Sequence, residues 1–296
     1  MADLSPQRLA ELQALAARIR ARVLIAVHHA QGGHVGGPLS CADMLVALYF
    51  HILRIDPANP RWEDRDRLIL SKGHSTIALY AVLAERGYLP VEELLTFDAI
   101  DSRLQGHPDM TKTPGIDMSA GSLGQGLSPG IGMALGARLL NKDFRTYVVL
   151  GDGESQEGQI WEAAFVAARY RLDNLTAILD YNGLQQYGWQ KQGQHMLPPI
   201  ESPARKWEAF GWNTLETDGH DIAKFITAVE EAQTMRGRPT IVIAHTCKGK
   251  GVSFIEDRFE WHAQIPTDAE LAAALAELGQ TDLLPVAAQE KQHGKH

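Results

Sequence analysis

Residues 146–184, TYVVLGDGESQEGQIWEAAFVAARYRLDNLTAILDYNGL, constrain the fold more than any other stretch of this chain. An apolar, β-branched run over 146–150 breaks at Gly151-Asp152-Gly153. A helical pattern follows over 157–170. A second buried-strand run over 175–179 closes on Asp180-Tyr181-Asn182-Gly183. Short apolar runs separated by a helix read as a strand–loop–helix–strand unit, with a Gly-rich turn at the carboxyl end of the first strand. Ligands of open α/β sheets collect at those carboxyl ends.

The acid inside the turn is the informative residue. A Gly-rich loop at a helix start is a phosphate cradle, and Asp152 sets a negative charge where a diphosphate would lie. The two are compatible if a divalent cation stands between them, as magnesium does when held by one or two carboxylates and substrate phosphates. Asn182 ends the next strand with a second oxygen, and the residue after Gly183, Leu184, can add a main-chain carbonyl. A dinucleotide fingerprint is excluded, because G-x-G-x-x-G requires glycine where the chain has Gln156. Alone, Gly-Asp-Gly is a tight turn with an Asx hydrogen bond; the Asn-Gly closing the next strand favours the metal and diphosphate.

Elsewhere strands and helices alternate. A Pro-started helix over 6–30 runs into a loop with four glycines in six residues around His34. A helix over 40–52 and a strand over 67–70 lead to Ser71-Lys72-Gly73-His74, and a helix over 77–86 follows. Short helical turns over 91–98 precede Gly106-His107, and Gly121-Ser122-Leu123 opens a small-residue helix over 126–140. After 182 come an irregular run, a helix over 202–210, a strand over 213–217, and a helix over 221–235 capped by Asp221. A strand over 240–244, the Lys248-Gly249-Lys250-Gly251 segment leading to Trp261-His262, and a last helix over 267–278 complete the pattern. This order predicts an α/β fold, a mostly parallel sheet with helices on both faces. A single domain over 1–280 and a flexible polar tail over 281–296 are expected.

A net charge of −8 without a basic run gives nucleic-acid binding no support. Cys41 and Cys247 stand apart from any C-x-x-C pattern. With no secretory core and no membrane-length apolar run, a cytoplasmic location is expected. His34, His74 and His107 each adjoin or neighbour glycine in a loop, and His262 follows a tryptophan. Singly each reads as structural; together they form a set suited to proton handling near neutral pH. His28, His29, His51, His195 and His220 lack that context and read as structural, and His293 and His296 as solvated. Zinc-ligand spacing is absent, and residues 153–157 miss the G-x-S-x-G nucleophile pattern by one position. Glu157 can complement a helix N-terminus, and Glu162 reads as a helix former.

In order, GGHVGGPLS, DRDRLILSKGH, GHP, GSLGQG, GDGESQEG, DYNG, DGHD and the 248–262 segment span most of residues 10–265. This string resembles the N-terminal, diphosphate-binding half of transketolase, a thiamine-diphosphate enzyme. The resemblance implies that Asp152, Asn182 and the Leu184 carbonyl hold Mg2+, with Ca2+ or Mn2+ as alternatives. It implies that Gly121, Ser122, Leu123, Gly153, Glu154, His74 and His262 contact the cofactor. His34 and His107 would bind sugar hydroxyls and move protons, and Glu157 and Glu162 would link two sites across a dimer. Tyr181 stands where the broad signature often has Asn, and Glu154 lies where transketolases vary.

A full transketolase is more than twice this length. The resemblance therefore implies a separate C-terminal, pyrimidine-binding subunit in an α2β2 assembly, with sugar or sugar-phosphate substrates. The expected reaction moves a two-carbon ketol unit from a ketose to an aldose, with the cofactor as electron sink. The α chain of a 2-oxo acid dehydrogenase is the main alternative, disfavoured by the Gly-His pairs. Deoxyxylulose phosphate synthase lacks support without its long insertion, and the intact His and Asp set argues against a non-catalytic homologue.

Overall fold

A computed structural model of the protein describes residues 4–186 and 199–283. The readings given to His195, His293 and His296, and the tail from 284 onward, lie outside the described residues. The sheet has five strands, β1 (Arg67–Leu70), β2 (Thr146–Gly151), β3 (Leu175–Tyr181), β4 (Asn213–Asp218) and β5 (Thr240–His245), all paired parallel. Their spatial order is β1-β2-β3-β5-β4, so the chain leaves β3 for the sheet edge and returns to set β5 beside β3.

Period-two alternation sends the strand residues to two apolar layers. Tyr147, Val149, Ile178 and Val242 face a core built with α1 (Pro6–Ala30), α2 (Gly36–Ala47), α3 (Thr76–Arg86), α7 (Ile222–Thr234) and α8 (Asp268–Glu277). Val148, Leu150, Leu179 and Ile243 face α4 (Leu127–Leu139), α5 (Gly158–Arg169) and α6 (Pro203–Ala209), with Trp207 and Trp212 filling the space between. The expected α/β fold, a parallel sheet covered on both faces, is what forms.

The helix boundaries differ in instructive places. The second helix begins at Gly36, not Ser40, because Pro38 falls in the first turn, where its missing N–H has no helical partner to lose. It then widens into a π turn at Leu48–Ile52. The last strand of the opening unit runs to Tyr181, which draws Asp180 into the sheet at zero exposure. A 3-10 turn, Glu154–Gln156, separates the Gly-rich turn from α5, which starts at Gly158. Thr281–Leu283, expected to open the tail, form a short helical turn whose Leu283 packs on the first core.

Register brings the carboxyl ends together. Gly151 pairs with Asp180, which in turn pairs with Ala244, and Tyr181 pairs with His245. The loops that leave these ends carry Asp152, Gly153, Glu154, Glu157, Asn182, Leu184 and His262; His74 follows β1, and His34, His107 and residues 121–123 lie in other loops.

Candidate functional site

The loops leaving β1, β2, β3 and β5 enclose a cavity of about 240 Å³. Its walls include Lys72, His74, Asp152, Asn182, Lys248 and His262. Two main-chain bonds draw the N-terminal loop and the 248–262 segment to this cavity: Val35 N–H donates to the His262 carbonyl at 3.2 Å, and Gly249 N–H donates to the Gly36 carbonyl at 3.0 Å. The glycines that sequence spacing singled out make this approach feasible. A Cβ at Gly36 would lie 2.8 Å from Lys248 Cε, and one at Gly37 would lie 2.9 Å from Ser75 Oγ.

Three of the four predicted histidines form a triangle. The ring centroids of His34 and His74 are 5.2 Å apart, those of His34 and His262 5.0 Å, and those of His74 and His262 5.1 Å. His107 stands outside the triangle, 6.4 Å from His34 and exposed. Burial, then the charge of His107 and Lys248, lowers His34 to about 4. Burial, then Lys248, His34 and Lys72, lowers His262 to about 3. His74 titrates well below its ordinary value through burial, Lys72 and the other two rings. These three imidazoles are neutral at pH 7, able both to donate and to accept a hydrogen bond. Lys248 Nζ lies 3.1 Å from His262 Nδ1 and donates to the Gln185 carbonyl at 3.1 Å. As an ammonium has only donors, His262 Nδ1 is the acceptor and its proton resides on Nε2.

Lys72 and Asp180 form a buried ion pair under the site, with side-chain exposures of 2% and 0%. Ser40 Oγ donates to Asp180 at 2.5 Å, and the Thr246 hydroxyl donates to its other oxygen. Burial alone would raise Asp180; Lys72 outweighs it and holds the carboxyl below its usual range. Neither residue was singled out from sequence. The available signal was a lysine and an acid at two strand ends, since fully buried charges occur in pairs.

Asp152 has a different environment. It is buried, and its oxygens accept from the main-chain N–H groups of Gly153 at 2.7 Å and Gly183 at 2.6 Å. Burial, then the Asp180 charge, raises it to about 7. Asn182 lines the same cavity, and its Oδ1 accepts from Leu184 N–H at 3.0 Å. A buried carboxylate bonded to main-chain N–H groups, lining the same cavity as the Asn182 amide, is a hard-oxygen donor set that fits a magnesium-sized cation. Among the described residues, no three His, Cys, Asp or Glu side chains cluster as a self-contained metal centre. A cation here would draw further ligands from a bound diphosphate, and Lys248 supplies positive charge on the same cavity, that of Lys72 being matched by Asp180.

The remaining predicted residues fall in different places. Leu123 and Gly153 line the cavity. Glu154 also borders it, but both of its oxygens are committed internally. It accepts from Ser71 Oγ at 2.5 Å, Gly124 N–H at 2.9 Å and Gly151 N–H at 3.0 Å, and so locks the Gly121–Gly126 loop against β2. Gly121 packs on Gly73, where a Cβ would come within 2.7 Å of Gly121 N, and Ser122 is exposed. Glu157 sits on the exposed cavity rim, while Glu162 lies one turn further along α5, on its exposed face.

This geometry defines an α/β protein with a strand-end cavity that gathers a buried acid, an amide, two lysines and imidazoles. Comparison with known proteins gives the family. Residues 12–290 match the model of the transketolase thiamine-diphosphate-binding domain. The chain is 47% identical to a 6-deoxy-6-sulfo-D-fructose transketolase subunit of Clostridium sp., over 83% of this chain and 88% of that protein. It is 41% identical to one subunit of the apulose-4-phosphate transketolase of Phocaeicola vulgatus, over 88% and 91% of the two chains. The solved transketolase of Campylobacter jejuni superposes with a TM-score of 0.85 at 31% identity, covering 95% of this chain and 45% of that one. The chain belongs to the transketolase family, as its thiamine-diphosphate-binding part. It spans most of the subunit-sized relatives and under half of the full-length transketolase.

Proposed function

We propose that this chain is the N-terminal, diphosphate-binding subunit of a two-chain transketolase. It works in the cytoplasm with a separate C-terminal subunit that brings the pyrimidine-binding half, in an α2β2 assembly. The observation that carries this reading is the triangle of neutral imidazoles, two of which, His74 and His262, line one cavity with Asp152, Lys72 and Lys248. Asp152, Asn182 and the Leu184 carbonyl would hold Mg2+, while Lys248 faces the diphosphate. Thiamine diphosphate, when bound, supplies the electron sink for a two-carbon ketol unit. His34 and His107 bind hydroxyls of the sugar, and His74 and His262 hold or accept protons beside the reacting centre. With Lys72 paired to Asp180 and Lys248 set to hold the diphosphate, the far anionic group of a sugar phosphate or sulfo-sugar would fall to the partner.

The test is co-expression with the product of the adjacent gene. Ketose-to-aldose transfer is then assayed with 6-deoxy-6-sulfofructose, apulose 4-phosphate and fructose 6-phosphate as donors. The pair is expected to turn over at least one donor, and the 296-residue chain alone to be inactive. Strong activity from this chain alone would overturn the two-subunit reading.

A further inference from the structure

His220, which sequence context assigned to the structural class, holds a second hydrogen-bonded network behind the cavity wall. Its Nδ1 lies 2.8 Å from Asp43 Oδ2. Asp43 is in turn gripped by both terminal nitrogens of Arg20, whose Nε donates to the Leu39 carbonyl at 3.1 Å. Burial would raise Asp43; Arg20 and then the bond from His220 outweigh it and keep the carboxyl ionised. On the other side of the ring, Cys247 N–H donates to His220 Nε2 at 2.8 Å.

The tautomer follows without further assumption. A main-chain N–H can only donate, so Nε2 is bare, the proton is on Nδ1, and that proton faces an ionised carboxylate. An acid-oriented imidazole of this kind is a fixed acceptor. It is needed here because the sheet ladder is running out. Thr246 N–H still reaches the Tyr181 carbonyl at 3.1 Å, one residue past β5, whereas Cys247 N–H is met by the His220 ring. The next residue is Lys248, whose ammonium contacts His262 Nδ1 and the Gln185 carbonyl in the cavity. Two fixed points therefore bracket the Lys248 backbone: the His220 ring at 247 and the Gly36 carbonyl at Gly249 N–H.

We propose that His220 is a positioning residue for the thiamine-diphosphate site: oriented by Asp43 and Arg20, it accepts from Cys247 N–H and so fixes where Lys248 meets the cavity. The role in cofactor binding rests on the function proposed above; the clamp on residues 246–249 does not. Groups that orient an active-site side chain from behind typically change affinity or activity by about 10–100-fold when removed.

The experiment has two arms. In the first, amide hydrogen exchange is followed in the chain without cofactor. His220→Phe keeps an aromatic ring and removes both bonds, and His220→Ala removes them without adding volume. Either should raise exchange across 244–250 about tenfold while β2 stays protected. His220→Gln, whose amide can donate to Asp43 and accept from Cys247, should restore protection. Unchanged exchange across 244–250 in the Phe and Ala variants overturns the clamp. In the second arm, thiamine diphosphate binding with Mg2+ is measured by calorimetry for His220→Phe, Lys248→Ala and the double variant. His220→Phe should weaken binding about tenfold, with no further loss in the Lys248→Ala background. Additive losses overturn the route through Lys248. Binding is measured on the assembled pair; if the unaltered pair binds no thiamine diphosphate, the functional reading fails, and the exchange arm still decides the clamp.

Discussion

At the scale of single residues, the site holds charge and neutrality in separate places. The imidazoles of His34 and His262 titrate near 4 and 3 in the folded chain, against 6.5 in the unfolded one. Between those values the unfolded chain binds more protons, so stability rises with pH across the window and is lost as pH falls from about 6.5 toward 4. Thermal unfolding followed from pH 7 to pH 4 should show a falling Tm, and His34→Asn should flatten that fall. An identical pH profile for the variant would contradict the burial of a neutral ring. Asp152 gives the complementary test. Asp152→Ala should abolish metal-dependent thiamine diphosphate binding by calorimetry, and unchanged binding would sink the metal assignment. The Lys72–Asp180 pair is a stability element. Lys72→Met leaves a fully buried carboxylate without its cation and should cost about 3–5 kcal/mol in urea unfolding. The approach of Asp152, Asn182 and His74 to one cavity was legible in sequence because glycine and strand ends flank them, while His262 is brought there by the 248–262 segment. Lys72 and Asp180 were not, because only the folded sheet reveals that both are buried and that they meet.

At the scale of elements, strand ends and glycines decide what the cavity can hold. The strands β2, β3 and β5 were readable from their apolar runs because they are buried on both faces, whereas the edge strand β4 is only partly covered. The start of α2 was not readable, since Gly36-Gly37-Pro38 is a loop signal that the first helical turn happens to accommodate. That misplacement matters for function, because Gly36 lies inside the helix and against the cavity lysine. A Cβ there would meet Lys248 Cγ and Cε at 2.8 Å and the Trp261 carbonyl at 3.0 Å, and Lys248 is only 2% exposed. With no room to swing aside, Lys248 must give up its contact with His262. Gly36→Ala should therefore weaken thiamine diphosphate binding about tenfold, an effect of the size seen when supporting groups around a ligand are disturbed. The check is calorimetry beside a melting curve. A large fall in Tm with unchanged affinity would place the strain in the fold and not at the cavity.

At the scale of the whole molecule, the two faces of the sheet are finished unequally. The layer of α1, α2, α3, α7 and α8 is a deep core, whereas α4 and α5, which pack side by side, leave large apolar side chains in solvent. Leu139 is 83% exposed, Phe165 62% and Tyr170 56%. Large apolar side chains exposed on two adjoining helices mark a candidate interaction surface. Helix α5 begins at the cavity rim, where Glu157 directly precedes it, and Glu162 lies exposed on the same helix. In the proposed α2β2 assembly, a second copy of this chain is the occupant that would bring two cavity rims and their acids face to face. A cyclic contact of this type uses the same patch on both copies, so one substitution removes two copies of an apolar contact at once. Phe165→Asp should split the assembly into αβ units, halving its mass by analytical ultracentrifugation while the C-terminal subunit stays bound. An unchanged mass would exclude this face as the junction between copies, and loss of the C-terminal subunit would assign the face to that partner instead.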